Sequence, residues 1–257
     1  MRYISLASSS KGNAAYLETA CGGWLIDCGI SMRRIEQGLA AIPQALDRLQ
    51  GIFITHEHRD HVAGLGPFLR RYRLPCYAGQ GTWRALLSDG GLGKVDRQLV
   101  ECLPFREQTL GGLTVTPLAL SHDAAEPFGF SFAEKGLRLT HVTDTGRADE
   151  VMAAYLTASD LVVVEANHDV NLLEKGPYPY YLKQRILGAR GHLSNAAAAK
   201  LLVDSLEDRT RTVVLAHLSD TNNRPALAEE AVKTALDQAG LAPQILLAGA
   251  GSVDVTL

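Results

Sequence analysis

The run His56-Glu57-His58-Arg59-Asp60-His61 sets three imidazoles and a carboxylate within six positions, directly after the apolar segment Gly51-Ile52-Phe53-Ile54-Thr55. An apolar run of that length bounded by polar residues reads as a buried strand. Side chains at its end sit on rigid scaffold yet project into a cleft. His56 and His58 are two apart, so in extended backbone they point the same way. Asp60 and His61 follow at a turn and can face a second point. Imidazole and carboxylate together are the donor set of zinc, manganese or iron. A structural role explains one such histidine, not a cluster of this density.

The rest of the chain limits what such a cluster can serve. The net charge is −3, so no global basic field marks a nucleic-acid partner, and any polyanion site must be local. Cys21, Cys28, Cys76 and Cys102 form no C-x-x-C pair or disulfide framework and read as buried thiols of a reducing compartment. No stretch of apolar residues reaches membrane-spanning length, and Met1–Leu6 lacks the pattern of a signal peptide, so a cytoplasmic location without membrane contact is expected.

Short apolar runs predict strands at 2–7, 14–19, 23–27, 51–54, 75–78, 99–103, 113–120, 128–134, 137–142, 161–165, 212–216 and 244–248. Helical patterns fall at 31–41, 64–73, 81–88, 147–157, 195–206 and 225–239, that from 195 being clearest. The stretch 168–191, rich in Tyr, Pro, Lys and Arg, reads as a loop. Strands in series followed by strands alternating with helices predict an α/β fold, with a mixed sheet or two packed sheets and outer helices. No linker divides the chain, so a single domain over 1–257 is expected.

The histidine run resembles the H-x-H-x-D-H signature of the metallo-β-lactamase-fold superfamily. The family's other elements occur in order: Asp27 in Trp24-Leu25-Ile26-Asp27-Cys28-Gly29, His122 in Leu120-Ser121-His122-Asp123, Asp144 in Thr143-Asp144-Thr145-Gly146, and His217 in Val213-Val214-Leu215-Ala216-His217. The resemblance implies a four-layered αβ/βα sandwich, two mixed sheets flanked by helices, with a two-ion centre. It assigns one ion, zinc or manganese, to His56, His58 and His122, and the other to Asp60, His61 and His217, with Asp144 bridging. Asp27 would orient the ligating residues rather than bind metal. Two such ions acidify a water between them and clamp an in-line displacement, with Asp60 counted among the catalytic groups. Asp144 argues against the β-lactamases proper, which lack that bridging carboxylate.

Two segments bear on the substrate. Leu161-Val162-Val163-Val164-Glu165 ends a buried strand on a carboxylate, and Gly191-His192-Leu193-Ser194-Asn195 precedes the clearest helix. They resemble the nucleic-acid-processing branch of the superfamily, tRNase Z and the β-CASP nucleases. There a strand-end acid (here Glu165) supports a histidine (here His192) that protonates the leaving oxygen. Ser194 and Asn195 lie where a helix N-terminus favours phosphate.

From Ser5-Leu6-Ala7-Ser8-Ser9-Ser10-Lys11-Gly12-Asn13 to Gly191–Asn195 the chain is similar to the bacterial YycJ/WalJ (VicX) group, which implies a 5′-to-3′ DNA exonuclease. The interval between Asp144 and His217 is too short for the inserted β-CASP domain. Lys183 and Arg185, with Lys175 and Arg190, would contact a phosphate backbone, and Tyr178, Tyr180 and Tyr181 unpaired bases. Arg33-Arg34 is a further basic pair, whereas Arg70, Arg71 and Arg73 read rather as a solvated helix face. The alternative is a cyclic-nucleotide or other small-molecule phosphodiesterase of the same fold.

Overall fold

A computed structural model describes residues 1–95, 99–249 and 253–257, which gather into two compact units. The first unit comprises Met1–Ala119, Ala124–Phe128 and Ser252–Leu257; the second comprises Leu120–Asp123 and Gly129–Gly251.

In the first unit β1 (Arg2–Ala7), β2 (Ala14–Thr19) and β3 (Gly22–Ile26) form an antiparallel meander. The chain then crosses through α1 (Met32–Ala40) to β4 (Leu49–Phe53), parallel to β3. The short α2 (Arg59–Val62) and α3 (Leu65–Tyr72) lead to β5 (Cys76–Gly79), and α4 (Gln80–Ser88) to β6 (Leu99–Cys102), both strands parallel. A hairpin of β7 (Gln108–Leu110) and β8 (Leu113–Ala119) follows. Meander and parallel strands thus share one mixed sheet, closed at its edge by a C-terminal strand, Asp254–Thr256, against β1. Ile35 and Leu39 of α1 and Phe68 and Leu69 of α3 are wholly buried in the cluster that includes Leu25, Ile52 and Ile54. That apolar stripe at i, i+3 and i+4 is what holds the helices on the sheet.

The second unit opens with β9 (Phe128–Glu134) and β10 (Leu137–Val142), an antiparallel hairpin turned at Lys135 and Gly136. Both turn residues have positive φ, 52° and 81°, as a two-residue turn matched to strand twist requires. Through α5 (Glu150–Thr157) the chain enters β11 (Leu161–Glu165), parallel to β10. All five β11 residues are buried, the mark of a strand covered on both faces. After α6 (Val170–Lys175), α7 (Tyr180–Leu187) and α8 (Asn195–Ser205) comes β12 (Thr212–Ala216), and after α9 (Pro225–Gln238) comes β13 (Gln244–Leu247). Numbering from here, the edge strand Asp254–Thr256 is β14. The strands β13, β12, β11 and β10 are parallel neighbours, so this sheet is mixed as well.

The chain is therefore α/β with two mixed sheets and associated helices, as the sequence predicts. The stretch 168–191 is a correction: it is not a loop but carries α6 and α7. Strands β7 and β14, of three residues each, were not predicted either. No helix among the described residues is long and apolar enough to cross a membrane.

Candidate metal centre and its flanking acid–histidine pair

Each unit gathers its polar site residues at the carboxyl ends of neighbouring parallel strands, where α/β sheets place their ligands. In the first unit Ile26 of β3 is in register with Phe53 of β4, which sets Asp27 beside Thr55. Asp27 Oδ1 accepts from the Thr55 backbone N–H at 2.9 Å, and Oδ2 lies 2.7 Å from His61 Nδ1. Both residues are buried. This is a carboxylate that fixes ring orientation and leaves His61 Nε2 as the outward donor atom. His56 Nδ1 meets Thr55 Oγ1 at 3.0 Å, and its Nε2 lies 3.0 Å from His58 Nδ1. Asp60 Oδ2 stands 3.5 Å from His61 Nε2. Glu57 Oε1 accepts from the Ala125 N–H at 2.7 Å, so it braces a loop.

In the second unit β10, β11 and β12 bring Asp144, Glu165 and His217 side by side. His217 Nδ1 is 3.4 Å from Asp144 Oδ1 and 3.7 Å from Glu165 Oε2. His192 Nδ1 is 3.0 Å from Glu165 Oε2 and 3.5 Å from Asp144 Oδ1. One ligand-type atom from each of Asp144, Glu165, His192 and His217 lies within 4.8 Å of the others. His122 Nε2 is 3.9 Å from Asp144 Oδ1, while its Nδ1 faces the Gly191 carbonyl at 3.1 Å. That contact sets the tautomer with the proton on Nδ1 and frees Nε2 for a ligand.

The electrostatics separate these groups. Burial pushes His122 below its ordinary value, against the opposing charge of Asp144, so it stays neutral as a metal ligand must. Glu165 is wholly buried, and burial alone would raise its pKa; the charge and hydrogen bond of His192 outweigh this and hold it below the ordinary range. Its Oε1 accepts from the backbone N–H groups of Thr145 at 2.7 Å and Leu193 at 3.2 Å. Burial likewise works against charge on His192, and Glu165, then Asp144, overcome it and raise the pKa. Each member of the pair thus favours the charged form of the other.

Backbone strain marks the same places. Asp27, Asp144 and His217 have φ of 61°, 63° and 54°, the left-handed region that non-glycine residues seldom occupy. Each follows a strand, at the point where the chain leaves the sheet. Nothing in the residue types announces this. Sequence reasoning also missed Asn13, whose Nδ2 lies 3.1 Å from His61 Nε2, and Asn167, whose Nδ2 donates to the His217 carbonyl at 2.9 Å. Asn13 stands in the opening segment singled out above on other grounds.

The residues expected to touch substrate are placed variously. Ser194 caps α8 by accepting from Ala197 N–H. Asn195 is buried and exchanges hydrogen bonds with Asn223 at 2.9 and 2.8 Å. Lys183 donates to the Glu174 carbonyl, and Arg185 pairs with Asp123, next to His122. Tyr180 and Tyr181 project from α7, 77% and 74% exposed. The four cysteines are free thiols, three buried and Cys21 partly so.

The donor set, imidazoles with strand-end carboxylates, suits divalent metal ions. Comparison with known proteins agrees. The family model of the β-lactamase superfamily domain matches residues 24–218. The exodeoxyribonuclease WalJ of Streptococcus pneumoniae is 39% identical over 93% of this chain and 90% of its own length. The exodeoxyribonuclease YycJ of Bacillus anthracis is 36% identical over the same shares. Among solved structures, the metallo-β-lactamase fold protein YhfI of Bacillus subtilis superposes with a TM-score of 0.73 at 13% identity, over 99% of both chains. The short form of human tRNase Z gives 0.67 at 18% identity over all of both chains. These two likenesses concern the fold.

Proposed function

The chain belongs to the β-lactamase superfamily, and we propose that within it this hydrolase is a two-metal phosphodiesterase degrading DNA from the 5′ end. The observation that carries the phosphodiesterase reading is His192, held beside Asp144 and hydrogen-bonded to a buried Glu165 that raises its pKa. The choice of DNA is supported by the length over which the two exodeoxyribonucleases are similar to it. Both units serve one functional domain in this reading, because the family match spans both.

His56, His58 and His122 would hold one ion and Asp60, His61 and His217 the other, with Asp144 shared, the ions being zinc or manganese. When bound, the pair would supply an acidified water and offset charge on the phosphate. Asp27 holds His61 by Nδ1, and the Gly191 carbonyl holds His122 by Nδ1, so both rings are oriented before metal arrives. His192 gives Nδ1–H to Glu165 and keeps the second proton on Nε2. That proton passes to the leaving oxygen as the P–O bond breaks, and Glu165 stabilises the charged ring beforehand. Free thiols suit work in a reducing compartment, the cytoplasm.

The test is to incubate metal-reconstituted protein with end-labelled duplex and single-stranded DNA, RNA, a cyclic nucleotide and bis-p-nitrophenyl phosphate. Stepwise loss of nucleotides from a DNA 5′ end is expected. Cleavage of the small esters alone overturns the proposal. His192→Ala should keep its metal and lose turnover; loss of metal would move His192 to the ligand set.

A further inference from the structure

Helix α7 buries none of its residues, and its first turn carries Tyr180 and Tyr181, 77% and 74% exposed. No other large hydrophobic side chain among the described residues exceeds 52%. A lone exposed apolar residue is ordinary, but two adjacent aromatic side chains standing clear of the protein are not. Among the described residues neither hydroxyl has a hydrogen-bond partner and neither ring packs on another ring or a cation. By helical spacing Tyr180 shares a face with Gln184 and Leu187, and Tyr181 lies beside it with Arg185. All five are exposed, while Leu182, Lys183 and Ile186 are half-buried and form the inner side.

Polar contacts within the second unit hold this helix in place of burial, and they end on the candidate centre. Lys183 Nζ donates to the Glu174 carbonyl of α6 at 2.8 Å, and Arg185 pairs with Asp123. Both cations are thus spent on fixing the helix. At its other end His192 N–H donates to the Ile186 carbonyl at 3.0 Å, and Gly191 N–H to the Gly188 carbonyl at 2.8 Å. A Cβ at Gly191 would fall 2.1 Å from the Ile186 carbonyl oxygen, so only glycine lets the helix turn this directly into His192. Ser121 Oγ donates to the Ala189 carbonyl at 2.8 Å, and Arg190 Nε to the His122 carbonyl at 3.0 Å. The tyrosines therefore stand at a set position relative to His122 and His192. From Tyr181 to Ile186 the helix rises about 7.5 Å, roughly two base steps of a stacked strand.

Charge selects the occupant of such a surface. From Lys175 to Arg190 the sequence has four cations and neither Asp nor Glu, in a chain of net charge −3. Lys175 and Arg147 are exposed and form no ion pair among the described residues. Lys175 follows Glu174, where Lys183 is anchored. Arg147 follows Gly146, whose Cβ position lies 2.5 Å from the Gly188 carbonyl oxygen at the end of α7. A free cation thus stands near either end of the aromatic helix.

We propose that α7 is a stacking platform for single-stranded DNA, with Tyr180 and Tyr181 taking unpaired bases next to the cut bond and Lys175 and Arg147 attracting the backbone. The proposal rests on the nuclease reading of the adjacent centre. A tyrosine ring accepts the face of any base, so the platform is indifferent to sequence, and bases already paired in a duplex do not offer their faces to it.

Metal-reconstituted protein is titrated with a fluorescent phosphorothioate oligothymidylate, which resists cleavage, and anisotropy gives the Kd. Tyr180→Ala/Tyr181→Ala is expected to weaken binding about tenfold or more, whereas Tyr180→Phe/Tyr181→Phe keeps the rings and the affinity. A strand of the same length without bases should bind the unaltered protein and the alanine pair alike. Undiminished affinity in the alanine pair, an equal loss in the phenylalanine pair, or a weakening that extends to the baseless strand overturns the proposal. Should the alanine pair fail to fold, the unaltered protein decides: equal affinity for the strands with and without bases sinks the platform. So does sedimentation showing a dimer that the alanine pair dissociates, which assigns the rings to a contact between copies. If the tyrosines hold the strand but no DNA is cut, the nuclease reading fails and the platform stands. If DNA is shortened stepwise and the alanine pair binds it undiminished, the platform fails and the nuclease reading stands.

Discussion

His192 Nδ1 lies 3.0 Å from Glu165 Oε2, and the acid is wholly buried at the end of β11. A buried carboxylate survives only with compensation, which here comes from two backbone N–H groups and the His192 ring. Glu165→Gln retains an oxygen for those N–H groups and removes the charge. Turnover on DNA should fall about a hundredfold, the size of a general-acid contribution, with metal content unchanged. Metal analysis and single-turnover kinetics check it; loss of an ion would show that Glu165 itself supports the centre.

Asp27 offers a cleaner separation of strain from charge. Its φ is 61°, a conformation asparagine tolerates better than most residues. Asp27→Asn should therefore fold normally, while His61 loses the carboxylate 2.7 Å from Nδ1. Metal affinity is expected to drop about tenfold to a hundredfold, measured by competition with a chromophoric chelator. An unchanged affinity would show that Thr55 alone suffices to orient the ring.

What the sequence reveals and conceals follows from these contacts. Asp27, Glu165 and His217 were legible because each stands at the end of a mainly apolar, wholly buried strand, a pattern that buried strands write plainly. Helix α7 was not, because none of its residues is buried and so no apolar stripe records its period. Pro177 and Pro179 before it, and Gly176 and Gly188 around it, read as loop. The partner of His122 is a backbone carbonyl at Gly191, which any residue would supply. Asn13 and Asn167 act through amides, a residue type that carries no metal signature. The positive φ at Asp144 and His217 comes from tertiary packing and leaves no local trace.

Gly29→Ala tests the junction of the loops at Asn13, Gly29 and Asp60, where Asn13 N–H donates to the Asp60 carbonyl and Gly29 N–H to the Asn13 carbonyl, each at 2.7 Å. The added Cβ would meet main chain, the Asp60 carbonyl oxygen and the Asn13 nitrogen, neither of which can swing away. Overpacking against backbone should cost about 3 kcal/mol, read as a lower urea midpoint. The same change displaces Asp60, so metal affinity should decline with stability. A variant of normal stability would mean that the loops shift more freely than their hydrogen bonds suggest.

His168 predicts how stability responds to acid. It follows β11 with a relative exposure of 1%, and neither ring nitrogen has a hydrogen-bond partner among the described residues. Burial pushes its pKa down to about 4, with the charge of Glu165 opposing. The folded protein thus holds His168 neutral, while in the unfolded chain the ring takes up its proton near pH 6.5. Above that pH both states are neutral at this residue and its contribution is flat. As pH falls from about 6.5 to about 4 the unfolded state binds a proton that the folded state does not, so stability is lost across that window. The loss attributable to this residue approaches about 3 kcal/mol. Urea unfolding of the unaltered protein and of His168→Asn at pH 7, 5.5 and 4 isolates it, because other titrating groups are shared. The variant should show the shallower decline, and parallel curves would mean that the ring becomes protonated within the fold.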